Sequence, residues 1–211
     1  MRTARITASA RAGFTLVELL AVMLILGLLL AILVPNLLTS QEATQINATR
    51  SKLALLASTI DAYEHEKGSY PPSHYRTEWG VAPNELNVGV ECLVLSLWSN
   101  NWDAGGQISA DELQNTDGDR SAGTLSDLGT SELMEFVDPW GQPIAYFESG
   151  DYGTDQRYLC LDENNQITEQ IVRARKNERI GRYLAHGKYQ LVSAGPDGRF
   201  GTDDDVVHPR Q

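Results

Sequence analysis

The chain has very few of the residues that usually carry catalysis or bind transition metals. It contains two cysteines, Cys92 and Cys160, and four histidines scattered along 211 residues. CxxC, HExxH and GxSxG patterns are absent from the sequence, so it lacks the common signatures of zinc sites, metalloproteases and serine hydrolases. This absence favours a non-enzymatic role. The cysteine spacing leaves open whether the thiols form one disulfide or stay free and buried.

Positive charge is also scarce, and the net formal charge is −11. Residues 1–13 contain three arginines and no acid, so removal of this segment would leave a body with 14 basic and 28 acidic residues. An acidic body repels phosphate backbones, which argues against nucleic acid as a partner. It favours solubility and cation binding, and composition alone does not separate these two explanations.

One long apolar run, from Phe14 to Leu38, carries a single charge at Glu18. A cleaved secretory signal would have a shorter apolar core and an A-x-A-like site, neither of which is present. A plain membrane anchor fits, because about 20 apolar residues span a bilayer and the arginines before the run would stay cytoplasmic. Neither explanation accounts for a carboxylate inside the apolar run, where an unpaired charge is costly.

The residues "AGFTLVELL" around this charge resemble the processing site of type IV pilin-like proteins, a family that includes the prepilins and the pseudopilins of type II secretion. The resemblance implies that a prepilin peptidase cuts after Gly13 and that the new N-terminal residue, Phe14, is N-methylated. It also implies that Glu18 neutralises the terminal amine of a neighbouring copy during assembly. Pro35 lies where many members of this family place a kink-forming proline.

Apolar residues continue at helical spacing beyond the membrane-length run. Ile46, Leu53, Leu56, Ile60 and Tyr63 recur at three- and four-residue intervals with one wider step, and polar residues occupy the other faces. Glycine followed by two prolines, in "GSYPP", then stops the pattern. The sequence therefore predicts one helix over about 14–66, apolar all round in its first half and amphipathic in its second.

The middle of the chain is less regular. The apolar run 88–98 predicts a short buried helix, and residues 99–131 are rich in Gly, Asp, Asn and Ser, which predicts a long loop. Its "NTDGD" segment does not place ligands at the EF-hand positions, so we interpret it as a polar loop. The stretch "SELMEFVDPWGQPIAYFES" predicts a short helix, a turn and a strand at 144–147, and "RYLCLDEN" and "KYQLVSAG" predict two further strands.

The C-terminal segment "SAGPDGRFGTDDDVV" places four aspartates within nine residues, among three glycines. Such a loop suits a hard cation such as calcium, and it is also common as a merely solvated segment. Together with "DPWGQPIAY", it resembles the C-terminal half of the major pseudopilin of type II secretion, which ends in a calcium-binding loop. The resemblance implies side-chain ligands among Asp197, Asp203, Asp204 and Asp205, with carbonyl ligands from Leu191 and Ser193.

The combined expectation is an α+β pilin-like fold, with a long N-terminal helix packed on a small antiparallel sheet domain. The expected parts are a leader (1–13), a membrane and filament-core segment (14–38), the soluble half of the helix (39–67) and a globular domain (68–211) with an insertion at about 99–131. The resemblance implies a homopolymeric pseudopilus in the bacterial inner membrane, with the C-terminal domain in the periplasm, that works with other pseudopilins and inner-membrane secretion components. A type IV pilus subunit is the alternative, and a membrane-anchored calcium-dependent module is a third.

Overall fold

The computed structural model describes residues 14–80, 82–99, 102–103, 108–162, 166–177 and 179–209. Contacts divide the chain into two compact units, Met1–Ala43 and Thr44–Gln211. The predicted leader and Gly13 lie outside the described residues.

The N-terminal helix, α1, spans Leu16–Lys67 and confirms the predicted long helix. Its end follows from Gly68, which has a positive φ of 78° and donates its backbone N–H to the Glu64 carbonyl oxygen at 2.7 Å. This is the left-handed arrangement that glycine adopts at low cost after a helix. Lys67 and His65 lie in the last turn, where positive charge is favourable.

The amphipathic stripe predicted for the second half of α1 forms one side of the core in the Thr44–Gln211 unit. Leu53, Leu56, Ile60 and Tyr63 are buried there, and Ile46 is partly buried against the same cluster. A hydrogen bond also ties α1 to the sheet, because the hydroxyl of Tyr189 donates to the Ala57 carbonyl oxygen at 3.0 Å.

The predicted short helix in the middle of the chain is α2, Val88–Leu97, and its residues from Gly89 to Leu97 are buried. It packs tightly on the strand that contains Tyr146. A Cβ at Gly89 would lie 2.3 Å from the Tyr146 carbonyl oxygen, so the close approach of helix to strand requires glycine there. The helix carries Glu91 into the interior with it.

The β structure is antiparallel throughout its paired strands. In chain order, the strands are β1 (Trp98–Ser99), β2 (Trp102–Asp103), β3 (Leu113–Gln114), β4 (Glu135–Phe136), β5 (Ala145–Glu148), β6 (Gln156–Leu161), β7 (Ile167–Val172), β8 (Tyr189–Ser193) and β9 (Val206–His208). Strand β8 is the centre of a three-stranded sheet with β5 and β9, and the remaining strands form the two-stranded pairs β1–β2, β3–β4 and β6–β7. The arrangement is the expected α+β class.

Several strand predictions hold, and one element prediction is wrong. Strands β5, β6 and β8 confirm the three predicted strands, with β5 shifted by one residue from 144–147. The short helix predicted in "SELMEF" is absent, because Glu135 and Phe136 pair with β3 instead. Strands β1 to β4, β7 and β9 were not predicted. Both cysteines are free and buried.

Candidate functional site

The N-terminal segment presents a charged residue at the start of an exposed apolar helix. Thr15 donates its backbone N–H to a carboxylate oxygen of Glu18 at 2.9 Å and its hydroxyl to the same oxygen at 2.8 Å. The Glu18 N–H in turn donates to the Thr15 hydroxyl oxygen at 3.2 Å. This reciprocal pairing is a capping box, and the residues at 15–18 fit its T-x-x-E pattern. Within one chain, therefore, Glu18 stabilises the start of α1.

The apolar surface that follows is exposed within the described part of its own unit. Residues 14–33 are exposed, and Phe14 is 80% exposed. The segment Leu16–Leu33 has a mean hydropathy of 3.0, which is long and apolar enough to cross a membrane. An exposed apolar surface of this length is unfavourable in water and is typical of a membrane or protein-interaction surface.

The C-terminal aspartate loop connects β8 to β9 and is folded back on itself. The N–H of Asp197 donates to the Asp204 carboxylate at 3.2 Å, which joins the two ends of the loop. Gly195, with φ of 69°, lies so close to this end that a Cβ there would be 2.4 Å from the Asp204 carbonyl oxygen. The structure thus brings the backbone of Asp197 to the carboxylate of Asp204, and cation binding by this loop stays a prediction.

Asp205 is the buried member of the three consecutive aspartates. Its side chain is 1% exposed and lies 2.6 Å from Nη2 of Arg175, and one of its oxygens also accepts the Gly201 N–H at 2.9 Å. The other oxygen, Oδ1, is buried without a hydrogen-bond partner. Burial raises the pKa of Asp205 to about 6, although Arg175 and the Gly201 N–H act in the opposite direction.

The other predicted ligands have different surroundings. Asp203 is exposed. Leu191 and Ser193 are buried in β8, and the Ser193 hydroxyl donates to Oδ2 of Asp138 at 2.7 Å. Asp138 belongs to the "DPWG" turn, where it also accepts the backbone N–H of Trp140 and of Gln142. The hydroxyl of Ser193 therefore fastens this turn to the sheet, and only its carbonyl is a candidate ligand.

A second acidic group, which the sequence reading did not identify, lies beside α2. We call Glu91, Asp117, Asp119 and Glu135 the middle acidic cluster. Glu91, Asp117 and Glu135 each offer a carboxylate oxygen that lies within 4.8 Å of the other two, and in the part of the chain that the structure describes no other such trio of acidic, histidine or cysteine side chains occurs. The N–H of Asp119 donates to Asp117 at 3.2 Å, which places the fourth residue next to the trio.

The electrostatic environment of the middle acidic cluster disfavours ionised carboxylates. Burial raises the pKa of Glu91 to about 10 and that of Glu135 to about 8, and neighbouring acids of the cluster add to both shifts. The pKa of Asp119 is raised to about 7 by burial and by Asp117. The arrangement can therefore hold a positive ion, or it must retain protons.

Sequence spacing contains little signal for this cluster, because its members come from α2, from the loop after β3 and from β4. The "NTDGD" loop does not match the EF-hand pattern, and the two carboxylates that its Asp117 approaches, Glu91 and Glu135, are distant from it in sequence. A single local signal was available, namely an acidic residue inside the apolar run 88–98, which needs a compensating charge or a proton when it is buried.

Comparison with known proteins finds a family motif at the N-terminus and several similar proteins that share one name. Residues 8–34 match the model of the prokaryotic N-terminal methylation motif. The chain is 24% identical over 202 residues to the type II secretion system core protein G of Escherichia coli (strain K12), covering 93% of this chain and 89% of that protein. It is 27% identical to the protein of the same name from Pectobacterium carotovorum subsp. carotovorum, over 92% of this chain and 81% of the relative.

A pilin is also among the similar proteins. The type IV major pilin protein PilA of Myxococcus xanthus (strain DK1622) is 34% identical over 87 residues, which is 41% of this chain and 38% of that protein. No solved structure matches the chain.

Proposed function

We propose that this chain, a type IV pilin-like protein similar to the G subunit of type II secretion systems, is a structural subunit of a pseudopilus, the envelope filament that drives protein export. One observation carries this proposal. An N-terminal methylation motif leads directly into an uncovered apolar helix, and the similarity to core protein G extends over most of the chain. The family consists of structural subunits, which argues against a catalytic role.

The first proposed step is processing of the N-terminus. A prepilin peptidase cleaves between Gly13 and Phe14, and the new amine of Phe14 is methylated. Because Phe14 and Thr15 precede α1, the cleaved end remains accessible at the start of the helix. The released leader carries Arg2, Arg5 and Arg11, so its loss changes the charge of the N-terminus.

Assembly follows from the apolar surface of α1. In the membrane, lipid covers residues 14–33; in a filament, the corresponding helices of other copies do so, because close packing of apolar helices replaces lipid contacts. Glu18 then has two uses. It caps its own helix through Thr15, and it neutralises the Phe14 amine of a neighbouring copy, since a carboxylate in apolar surroundings needs a cationic partner.

The anchored helix fits a protein held in the bacterial inner membrane. The arginines before the apolar run favour a cytoplasmic N-terminus by the positive-inside rule, which places the acidic C-terminal domain in the periplasm. Other pseudopilins and the inner-membrane secretion components are the proposed partners.

Calcium is the proposed ligand of the C-terminal loop. The buried, unpartnered Oδ1 of Asp205 and the carboxylate of Asp204 supply oxygens that a hard cation prefers. Since three converging acidic oxygens are found only at the middle acidic cluster in the described residues, calcium here would draw its remaining ligands from Asp197, Asp203, water and the carbonyls of Leu191 and Ser193. Its effect would be to stabilise the folded loop, because the unfolded loop does not bind it.

A secretion assay tests the proposal. A strain without the gene is complemented with the wild type, with Glu18→Gln, or with Glu42→Gln, which removes an exposed carboxylate of α1 outside the segment 16–33. We expect exported proteins to stay inside the cell without the gene and with Glu18→Gln, and to return to the medium with the wild type and Glu42→Gln. Normal export combined with loss of surface filaments would instead identify a type IV pilus subunit, the candidate that the similarity to PilA favours.

A further inference from the structure

The middle acidic cluster combines well-anchored carboxylates with others that lack partners. Glu135 accepts the Asn87 side-chain amide at 3.0 Å and the Thr116 N–H at 2.8 Å, so both of its oxygens are fixed. Asp117 accepts the side-chain amide of Asn84 at 2.9 Å. These bonds hold two carboxylates in position without neutralising them.

Three other carboxylate oxygens of the cluster are buried and make no hydrogen bond. Glu91 is 1% exposed, and its Oε1 has no hydrogen-bond partner. Both carboxylate oxygens of Asp119 are also buried without a hydrogen-bond partner. The hydroxyl of Tyr75 is also buried without a partner, and the charges of Glu91 and Asp119 contribute to raising its pKa to about 12, after burial itself. Four of the five unpartnered buried side-chain atoms in the described part of the chain thus belong to this one place.

Among the described residues, no positively charged side chain forms an ion pair with the carboxylates of the cluster. Of the ion pairs formed among the described residues, none includes Glu91, Asp117, Asp119 or Glu135. An unpaired buried carboxylate destabilises the folded state, and the destabilisation grows when like charges face one another, as they do here. An ion bound between the carboxylates would remove this cost and use the unpartnered oxygens.

We propose that Glu91, Asp117 and Glu135 bind one hard divalent cation such as calcium, and that Asp119 supplies a fourth carboxylate. The ligands are all oxygen, which suits calcium, magnesium or manganese and disfavours zinc and copper. One oxygen from each of the three carboxylates lies within 4.8 Å of the other two, so the three are close enough to turn toward one ion. Calcium is the ion to test because its coordination by six to eight oxygens is flexible, whereas magnesium demands near-ideal octahedral geometry.

The cation would join three elements that are distant in sequence. Glu91 lies on the buried helix α2, Glu135 on β4, and Asp117 and Asp119 on the loop that follows β3. Binding would hold the loop against α2 and β4. Residues of the predicted insertion would then be anchored to the core of the domain. This site is separate in sequence from the C-terminal loop, and it does not depend on the proposed secretion role.

Calcium binding to the purified full-length chain in detergent micelles tests the proposal. The protein is first stripped with a chelator, and bound calcium per chain is then measured by equilibrium dialysis, alongside thermal unfolding with and without calcium. The variant is Glu91→Gln, which removes the charge and keeps the shape. The control is Glu132→Gln, which removes a carboxylate of the same segment that pairs with Arg120 instead.

We expect Glu91→Gln to lose one bound calcium per chain, or to bind it at least about tenfold more weakly, because ligand charge sets the affinity of such sites. Its unfolding midpoint without calcium should rise, because folding no longer requires a carboxylate at this position to take up a proton, and the increase on adding calcium should shrink. A merely structural glutamate would instead lower the midpoint under both conditions. The control should behave as the wild type.

Unchanged calcium stoichiometry and an unchanged calcium response in Glu91→Gln would overturn the proposal and show that protons neutralise the cluster. If Glu91→Gln does not fold, Asp119→Asn in the loop provides the same comparison, with the same expected loss. Loss of calcium through Asp203→Asn and Asp204→Asn only would assign all binding to the C-terminal loop and contradict a site at α2. Because the readout is bound calcium, its failure leaves the secretion proposal intact.

Discussion

The hydroxyl of Ser193 donates a 2.7 Å hydrogen bond to Oδ2 of Asp138, a residue 55 positions earlier in the chain. This buried bond fastens the "DPWG" turn to the central strand β8, immediately before the aspartate loop begins. Burial raises the pKa of Asp138, although Ser193 and the two backbone donors of the turn act against the rise. Turn, strand and loop are therefore held as one structural unit.

Ser193→Ala should destabilise the domain. The change leaves Asp138 buried with only the N–H groups of Trp140 and Gln142 as donors, and loss of a hydrogen bond to a charged group costs about 1.5–3 kcal/mol. Chemical denaturation of the full chain in detergent measures the change. The control is Ser51→Ala, which removes a hydroxyl on the exposed face of α1 that donates to the Asn47 carbonyl oxygen. This variant should have nearly the wild-type stability. Equal stability of the two variants would contradict a structural role for the bond.

Gly195→Ala should destabilise more than Gly187→Ala. Both glycines have positive φ, 69° and 79°, so both variants carry the cost of a left-handed alanine, about 1–2 kcal/mol. Only at Gly195 would the added Cβ also meet a backbone atom, the Asp204 carbonyl oxygen at 2.4 Å. The difference in unfolding free energy between the variants therefore reports the close packing of the loop. A difference of zero would show that the loop is not closed in this way.

Arg175→Gln should destabilise the protein by about 2–3 kcal/mol, somewhat less than the about 3–5 kcal/mol expected for a fully buried pair, because the Arg175 side chain is 32% exposed. The change leaves Asp205 as a buried carboxylate without its cation. Arg173→Gln removes the same charge from an exposed pair with Asp155 and should have almost no effect.

Calcium adds a second readout to the Arg175 comparison. If calcium binds the Asp205 carboxylate, an excess of calcium should restore part of the stability that Arg175→Gln loses, and a chelator should remove it again. The same loss with and without calcium would exclude Asp205 as a calcium ligand while leaving its pairing with Arg175 in place.

His208 should make stability fall as the solution becomes more acidic. Burial lowers the pKa of His208, and Lys188 acts in the same direction while Asp61 opposes it. Because the unfolded pKa is about 6.5 and the folded pKa lies below it, the unfolded chain takes up the proton first, and stability is lost as pH falls below about 6.5. His208→Gln should lose less stability than the wild type between about pH 7.5 and about pH 5.5. The exposed His186→Gln should match the wild type.

Periodicity over many residues was the part of the sequence that predicted structure well. The apolar spacing of Leu53, Leu56 and Ile60 predicted both the second half of α1 and its buried face, because a helical stripe repeats often enough to be unambiguous. Gly68 then marked the end of the helix to within a residue. The motif around Glu18 could be recognised for the same reason, since all of its members are adjacent in sequence.

Contacts between distant residues were not predictable. In "SELMEF", the apolar and acidic pattern suggested a helix, but Glu135 is held by Asn87 and by the backbone of Thr116, and its strand pairs with β3. Tertiary contacts of this kind override local propensity in short segments. The middle acidic cluster escaped notice for the same reason, because each of its members is unremarkable in its own segment.

The N-terminus of the mature protein tests the central claim most directly. Intact mass and N-terminal sequencing of the protein from native membranes should give a chain that begins at Phe14 and carries one additional methyl group. That result would make the amine of Phe14 available to Glu18 of a neighbouring copy. A chain that keeps Met1, or that begins at another residue, would contradict processing as a pilin-like subunit and the assembly mechanism that depends on it.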